Sequence, residues 1–364
     1  MTEITVIAPR DGAQEIGGRL WEVLRYALEG HSWQLLGTKE EVESYLEKKT
    51  DTPRPVLFAL SLGESGINLE YVRILRYLRE HPTALEGFVG GVLVDGKSDL
   101  YTKSAARELV FTANCAGCTF VGRPLVEGTR TLSNFSIVAR NMDTDLATAY
   151  KKSAAILVKE ILEFERPVSD HPNLLVLHAS SHKNSNTFAI WNAVKERLGD
   201  FTITEIGLRN GTLSDCSGCP YKMCLHFGEN ESCFYGGVMV EDVYPAVKKA
   251  DAILMLCPNY NDAISANLTA FINRLTALFR TTRFYDKALF AIVVSGYSGS
   301  DIVAEQLVAA LNMNKTFYLP GRFAMMETAN DPGSAMKLPE IGGRIEAFAG
   351  RLRSTLQTVK KEVY

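Results

Sequence analysis

Residues 173–187 read NLLVLHASSHKNSNT. The stretch begins with a continuous apolar run, which is typical of a strand buried on both faces of a parallel sheet. It continues as a loop rich in hydroxyl and amide side chains, and a helical pattern follows near 187–198. A strand, a polar loop and a helix in this order predict one βα unit of a doubly wound α/β sheet.

The same alternation of apolar and amphipathic runs continues along the whole chain. The predicted strands are 4–9, 56–61, 88–94, 118–122, 173–180, 201–208, 252–258, 288–296 and 315–321. The predicted helices are 18–29, 38–49, 68–80, 101–114, 187–198, 241–249, 265–281, 300–313 and 340–361, and a long amphipathic helix at 144–165 connects the two halves. Buried strands separated by helices predict two parallel sheets covered on both faces, with strand order 2-1-3-4-5.

The two halves of the chain resemble each other. Residues 91–124 run from GVLVDG through a helical pattern to TFVGRP, and residues 292–322 run from IVVSG through a helical pattern to TFYLPGR. This similarity predicts an internal duplication. The polar stretch ERPVSDHPN at 165–173 contains two prolines and is the best candidate for a linker. We therefore place the domain boundary near 168, with domains at 1–168 and 169–364.

Composition limits the class of protein. The chain has 364 residues, 46% of them hydrophobic and 22% charged, with a net charge of −3. These values are typical of a soluble globular protein and offer no basic excess for nucleic acid. The N-terminus lacks the pattern of a signal peptide, and no apolar run is long enough to span a membrane. We expect a cytoplasmic protein, in which clustered cysteines favour metal binding or redox chemistry over structural disulfides.

Three polar loops follow strands that should meet at the switch point of the second sheet. The loop at 179–187 suits a phosphate at a helix N-terminus, although serine and asparagine also serve simply as helix caps. The loop CPNYNDAIS (257–265) offers a planar tyrosine to a ligand, or is an ordinary turn. The glycines of the loop SGYSGSD (295–301) allow the backbone to approach a ligand closely, or make a flexible connection. Together the three loops predict a ligand site at the carboxyl edge of the sheet.

Two of these motifs resemble a known family. LHASSHKNSNT is similar to the phosphate loop GSPRxxSNT of the flavodoxin-like NADPH-dependent FMN reductases. PNYNDAISANLTAFINRL is similar to the second signature of that family, which ends in an Asp/Asn-Arg pair, here Asn273 and Arg274. The resemblance covers about 173–320. It implies a flavodoxin-like fold for both halves, with the first half a degenerate copy.

The resemblance implies one bound FMN, with NAD(P)H as a transient co-substrate. Electrons would pass from NAD(P)H, or from a reduced carrier such as a ferredoxin, to a small acceptor such as a flavin or quinone. The alternative is a non-enzymatic redox carrier or sensor. Family members tend to form homo-oligomers. The implied cofactor residues are Ser180, His182, Ser185, Asn186 and Thr187 around the phosphate, and Pro258, Asn259, Tyr260, Asn261, Ser295, Gly296 and Tyr297 around the ring or ribityl chain.

The corresponding loops of the first half have lost these features. They lie at 8–18, 61–70 and 94–101, and they lack a hydroxyl-rich helix start. Asp11, Glu15 and Glu64 would repel a phosphate. We therefore expect a domain without a cofactor.

A cluster of cysteines lies in the long loop after the second strand of the second half. Cys216, Cys219, Cys224 and Cys233 follow the pattern C-x2-C-x4-C-x8-C. With the acidic pair Glu241-Asp242 that follows, this stretch resembles the iron–sulfur flavoproteins, which use a tighter C-x2-C-x2-C start. The cysteines are candidate ligands of a [4Fe–4S] cluster. Zinc, or four reduced thiols that only shape the wall of the flavin pocket, are the alternatives. The loop should lie at the same sheet edge as the flavin.

Overall fold

The computed structural model describes residues 3–11, 16–48, 53–180 and 185–358. The chain forms two compact units. The first consists of Met1–Glu165 with Leu319–Arg322, and the second of Arg166–Tyr318 with Phe323–Tyr364. The division falls after Glu165, where the sequence places the boundary near 168.

The N-terminal unit is built on a five-stranded parallel sheet with the order β2-β1-β3-β4-β5. Its strands are β1 (Ile4–Ile7), β2 (Trp33–Leu36), β3 (Arg54–Leu62), β4 (Phe88–Gly96) and β5 (Thr119–Gly128). Its helices are α1 (Gly18–Ala27), α2 (Lys39–Leu46), α3 (Leu69–Glu80), α4 (Thr102–Cys115), α5 (Ser136–Asn141) and α6 (Leu146–Leu162), with a 3-10 turn at Ser133–Phe135.

The C-terminal unit repeats this topology with the order β10-β9-β8-β6-β7. Its strands are β6 (Asn173–His178), β7 (Thr202–Gly207), β8 (Ala252–Asn259), β9 (Ala288–Ser295) and β10 (Ala324–Thr328). Its helices are α7 (Asn186–Lys195), α8 (Tyr221–Glu229), α9 (Tyr244–Lys249), α10 (Ala266–Leu278), α11 (Ser300–Leu307) and α12 (Ile341–Leu356). Two π-helical turns (Met239–Val243 and Val308–Met313) and a 3-10 turn (Ser334–Lys337) complete it. The fold class, the strand order and the duplication are confirmed.

The core of the C-terminal unit lies on both faces of β8 and β9. These strands read AILMLCPN and ALFAIVVS, and from Ala252 to Cys257 and from Ala288 to Val294 every residue is buried. Aromatic side chains cover them, among them Trp191 of α7 and Phe271 of α10. A strand that is apolar at every position can pair only inside a sheet, because both of its faces need to leave water. Among the described residues no helix combines the length and apolarity needed to cross a bilayer.

Two strands differ from the sequence-based expectation. The sequence predicts the last strand at 315–321, but this segment makes only isolated bridges, between Tyr318 and Ala288 and between Leu319 and Phe120. Left-handed backbone at Thr316 (φ 71°) and Arg322 (φ 54°) interrupts the extended conformation, and the fifth strand is β10 at Ala324–Thr328. The sequence does not predict strand β2, because this strand has only four residues and three of them are half-buried.

The N-terminal unit contains a carboxyl group that should make its stability depend on pH. Burial raises the pKa of Glu160, on α6, to about 7, and Arg123 lowers it less. In the unfolded chain the same carboxyl titrates near 4.5. The folded unit therefore binds the extra proton, and it should lose stability as the pH rises from about 4.5 to about 7.

We expect Glu160→Gln to remove this dependence. The free energy of unfolding, measured by urea denaturation between pH 4.5 and pH 8, should fall less with pH in Glu160→Gln than in the wild type. Glu165→Gln replaces an exposed carboxylate beyond the end of α6 and should keep the wild-type slope. Equal slopes in the wild type and Glu160→Gln would show that Glu160 does not titrate in this range.

Candidate functional site

A cavity of about 660 Å³ opens at the carboxyl edge of the C-terminal sheet. The loops after β6, β8, β9 and β10 line it. Most of the residues predicted to bind FMN lie on its wall, namely Ser180, Ser185, Asn186, Thr187, Pro258, Asn259, Tyr260, Asn261, Gly296 and Tyr297. His182 lies outside the described residues, together with the rest of 181–184. The three predicted loops therefore converge on one cavity.

Ser295 lies behind the wall of this cavity. Its side chain is fully buried at the end of β9, and its Oγ hydrogen bonds to the Oγ of Ser300 at 2.7 Å. It also accepts a hydrogen bond from Nδ2 of Asn259 at 3.0 Å. Ser295 therefore supports the residues of the site through Asn259.

Asn259 connects the loops after β8 and β9. Besides Ser295, its Nδ2 donates to Asp262 Oδ1 at 3.1 Å and to the carbonyl oxygen of Ser298 at 3.0 Å. Its Oδ1 is buried and has no hydrogen-bond partner in the described chain. A buried acceptor without a donor costs about 1–3 kcal/mol.

The loop after β8 is a tight turn with unusual backbone angles. Asn261 (φ 56°) and Asp262 (φ 55°) both have left-handed conformations, and Tyr260 and Ala263 form an antiparallel bridge across them. This is the pattern of a type I′ turn, which asparagine and aspartate tolerate better than most residues. The turn leaves the Tyr260 side chain 60% exposed, and Tyr297 from the next loop is 83% exposed. Two aromatic rings are thus available to a planar ligand.

The start of α7 supplies backbone donors to the cavity. Ser185 is the N-cap, and its side chain makes no capping hydrogen bond. The first N–H groups of a helix have no partner within it and favour an anion. The Asn186 side chain is already in use, because its Nδ2 donates to the carbonyl oxygens of Ala329 (3.1 Å) and Asp331 (2.9 Å). Its backbone N–H, rather than its amide, is left for a phosphate.

The sequence does not point to the fourth loop of the cavity. Ala329, Asn330 and Pro332 follow β10 and line the wall. A last strand at 315–321 would place the loop at its carboxyl end too early in the chain. The remaining signal is the short alternating run AMMET of β10, in which the first four residues alternate between half-buried and buried.

The four clustered cysteines line a second cavity of about 340 Å³. Cys216, Cys219, Cys224 and Cys233 all contribute to its wall, and it shares no lining residue with the first cavity. Part of the cysteine loop is helical, since Cys224 lies on α8. Helix α8 packs closely on α10, because a Cβ at Gly228 would lie 2.6 Å from the carbonyl oxygen of Ala277.

The pair Asn273-Arg274 on α10 holds the cysteine loop at both ends. Arg274 is 2% exposed, and its guanidinium donates to the carbonyl oxygens of Gly236 (2.7 Å) and Ser214 (3.4 Å). Nδ2 of Asn273 donates to Asp215 Oδ1 at 3.0 Å. The family signature at these positions therefore anchors the loop in this chain.

The cysteines share a cavity without forming a metal-ligand set. Across the described ranges, no group of three or more His, Cys, Asp or Glu side chains is arranged to hold a metal ion. All four thiols are free of disulfides. A tetrahedral zinc or iron–sulfur site needs its thiolates within about 2.3 Å of the metal. The predicted [4Fe–4S] cluster and the zinc alternative are therefore not supported by the described residues as folded.

The equivalent edge of the N-terminal unit is filled by a charged side chain. Nε of Arg19, in the first turn of α1, donates to Asp95 Oδ2 at 2.7 Å. Its Nη2 donates to the carbonyl oxygens of Gly96 (3.1 Å) and Thr129 (2.9 Å). Asp95 lies in β4 and Thr129 follows β5, so Arg19 is bound to the ends of both strands. That the N-terminal unit binds no cofactor stays a prediction. Glu15, one of the carboxylates expected to repel a phosphate, lies outside the described residues.

Comparison with known proteins identifies the class of the C-terminal unit. Residues 172–331 match the model of the NADPH-dependent FMN reductase family. The resemblance read from the sequence is thus confirmed for this unit, and with it the class of NAD(P)H-dependent oxidoreductase. No curated protein matches the chain.

Solved structures also match about half of the chain. One is an FMN-dependent NADH-azoreductase from Bacillus anthracis strain Ames Ancestor in complex with FMN, at 13% identity and a TM-score of 0.36. The match covers 50% of this chain and 99% of that one. Another is an NAD(P)H:quinone oxidoreductase from Methanothermobacter marburgensis, at 16% identity and a TM-score of 0.36. It covers 54% of this chain and 100% of that one.

The loop after β9 should not tolerate a side chain at Gly299. This glycine has φ 85°, and a Cβ would lie 2.0 Å from Asp262 Oδ1 and 3.0 Å from Asn259 Nδ2. We expect Gly299→Ala to lower the free energy of unfolding of the C-terminal unit by about 1–3 kcal/mol, measured by urea denaturation. Gly342→Ala is the control, because no heavy atom lies within 4 Å of its Cβ and it lies in α12. It should be neutral or stabilising; equal losses in both variants would contradict the packing described.

The packing of α8 on α10 should protect the cysteines. Gly228→Ala would bring a Cβ to 2.6 Å from the carbonyl oxygen of Ala277 and 3.1 Å from Cβ of Arg280, so α8 has to move outward. We expect the thiols of the cavity to react several-fold faster with a disulfide reagent such as DTNB. Gly343→Ala has open space around its Cβ and should react at the wild-type rate. Unchanged rates in Gly228→Ala would show that the contact does not limit access to the thiols.

Proposed function

We propose that the C-terminal unit binds one FMN in the cavity between the loops after β6, β8, β9 and β10. In this proposal the protein is an oxidoreductase that passes electrons from NAD(P)H, or from a reduced carrier, to a small acceptor such as a flavin or a quinone. The observation that carries the proposal is the convergence of the three motif loops on one cavity in the unit that matches the reductase family.

The residues present fit an FMN molecule. The free N–H groups at the start of α7 suit its phosphate, and the helix dipole favours the negative charge there. Asn259 would hold the loops after β8 and β9 together beneath the ligand. The exposed rings of Tyr260 and Tyr297 offer flat apolar surface to the isoalloxazine.

The flavin, when bound, supplies the hydride and electron chemistry. The protein binds and orients it, and no side chain has to act as an acid, base or nucleophile. Backbone N–H groups of the loops at 259–261 and 295–297 would stabilise negative charge on the ring. The hydrogen bonds of Asn259 keep these two loops in place before the cofactor arrives. The chain has no GxGxxG nicotinamide fingerprint, so NAD(P)H would dock transiently over the flavin.

No step of this proposal passes through a metal. The thiols as folded form no ligand set, so we propose a flavin-only route with reduced cysteines. Iron, sulfide and zinc analysis of anaerobically purified protein tests this point. Stoichiometric iron and sulfide would show that the loop closes around a cluster and that the flavin-only route is wrong. The homo-oligomer implied by the resemblance also stays a prediction, which light scattering of the purified protein would test.

The function is tested by binding and turnover. We expect the purified protein to take up one FMN per chain, with a flavin absorbance spectrum and quenched flavin fluorescence, and to oxidise NADH or NADPH steadily with a quinone. A protein that neither binds FMN nor gains thermal stability from it would contradict the proposal. Reversible reduction of bound flavin by ferredoxin or dithionite, without steady NAD(P)H oxidation, would instead indicate an electron carrier.

A variant at Asn259 checks that binding occurs in this cavity. Asn259→Ala removes the hydrogen bonds that connect two loops of the cavity, and we expect it to raise the Kd for FMN about tenfold or more. Asn141→Ala makes the same change at an exposed position in the N-terminal unit and should bind FMN like the wild type. Equal Kd values for both variants would place the flavin elsewhere.

A further inference from the structure

We infer that the loop after β10 completes the FMN site, and that Asn330 in this loop donates a hydrogen bond to the phosphate of FMN. The inference rests on the proposed function, because it assigns a further residue to the same cavity. It concerns a fourth loop, outside the three that carry the family motifs.

The position of Asn330 is fixed by contacts with the motif loops. The N–H of Ala329 donates to the carbonyl oxygen of Ser295 at 2.8 Å, which holds the fourth loop against the end of β9. A Cβ at Gly296 would lie 3.0 Å from Oδ1 of Asn330, so the carboxamide lies directly beside the glycine of the SGYSG loop. Asn330 lines the cavity on this side.

The same loop is also fixed to the start of α7. Asn186 donates from Nδ2 to the carbonyl oxygens on either side of Asn330, those of Ala329 and Asp331. Its Oδ1 accepts a hydrogen bond from the N–H of Ala335 at 3.2 Å. Asn186 is the first residue of α7, where the helix N–H groups are free for an anion. Asn330 is therefore held next to the expected phosphate position.

The Asn330 side chain is available to a ligand. It is exposed, and its carboxamide makes no hydrogen bond within the described part of the chain. Its neighbour Asn186 has the same side chain, but the amide of Asn186 is already hydrogen bonded to the loop after β10. Of the two amides at this end of the cavity, the one on Asn330 is left to bind.

The amide of Asn330 matters because of the charges on the wall of the cavity. None of the described residues that line the cavity carries a formal charge. Each neutral donor on this wall would matter to a phosphate dianion, since hydrogen bonds to a charged group are roughly twice as strong as neutral ones. A carboxylate at the same position would repel the phosphate with no neighbouring cation among the described residues of this wall to offset it.

The test compares FMN with riboflavin, which lacks the phosphate. Dissociation constants are measured by quenching of flavin fluorescence for the wild type, Asn330→Asp and Asn330→Ala. We expect Asn330→Asp to raise the Kd for FMN about tenfold or more and that for riboflavin less than about twofold. Asn330→Ala removes the donor without adding charge, and it should raise the Kd for FMN about threefold or more.

A control separates the local effect from a change of net charge. Asn314→Asp adds the same charge at an exposed position after the π-helical turn that follows α11, outside the cavity lining. Helix α11 starts at the carboxyl edge of the sheet, so its far end lies at the opposite edge. This variant should bind both ligands like the wild type. Thermal unfolding of every variant, followed by circular dichroism, establishes that each is folded.

The outcomes distinguish the two proposals. A wild-type protein that does not bind FMN overturns the proposed function and this inference together. If the wild type binds FMN and both variants at Asn330 bind it equally well, the proposed function stands and the role of Asn330 is wrong. If the variants weaken FMN and riboflavin equally, Asn330 contacts the ring or ribityl chain, and the assignment to the phosphate is overturned.

Discussion

The cofactor cavity depends on the parallel pairing of β8 with a strand on each side. β6 pairs with it from Leu174 to His178, and β9 pairs with it over its whole length. Parallel pairing places the carboxyl ends of all three strands at one edge of the sheet. Burial on both faces keeps the strands apolar until that edge, so polar groups appear only where the strands end. The change from Cys257 to Pro258-Asn259 marks that point in the chain.

Strands that are buried along their whole length could be predicted from the sequence, whereas two of the four edge strands, β2 and β10, could not. β6, β8 and β9 are apolar at nearly every position, a pattern typical of strands in the interior of a parallel sheet. β2 and β10 are four and five residues long and only partly buried, so their patterns are weak. The prediction of a strand at 315–321 was wrong because this segment is apolar without being paired in a sheet. Its apolar side chains are buried in the core. Phe317 and Tyr318 are fully buried there without belonging to a sheet strand.

In the candidate site, features that depend on neighbouring residues in the sequence could be predicted, and contacts between distant residues could not. The motif loops were predictable because each is a short run of residues next to its own strand. The use of the Asn186 amide was not, because its partners Ala329 and Asp331 lie 143 and 145 residues further along the chain. The cysteine spacing indicated a shared location, and the four thiols do line one cavity. Their geometry is set by the docking of α8 on α10, which spacing alone does not describe.

Helix α10 has a mechanical consequence that follows from its place in the C-terminal unit. Its 13 residues span about 20 Å as a rigid rod. It starts at Ala266, shortly after the turn that lines the cavity of about 660 Å³, and Arg274 in its second half donates hydrogen bonds to the cysteine loop. The position of the rod is therefore constrained at both ends, by the turn that lines one cavity and by the loop that lines the other, although the two cavities share no lining residue.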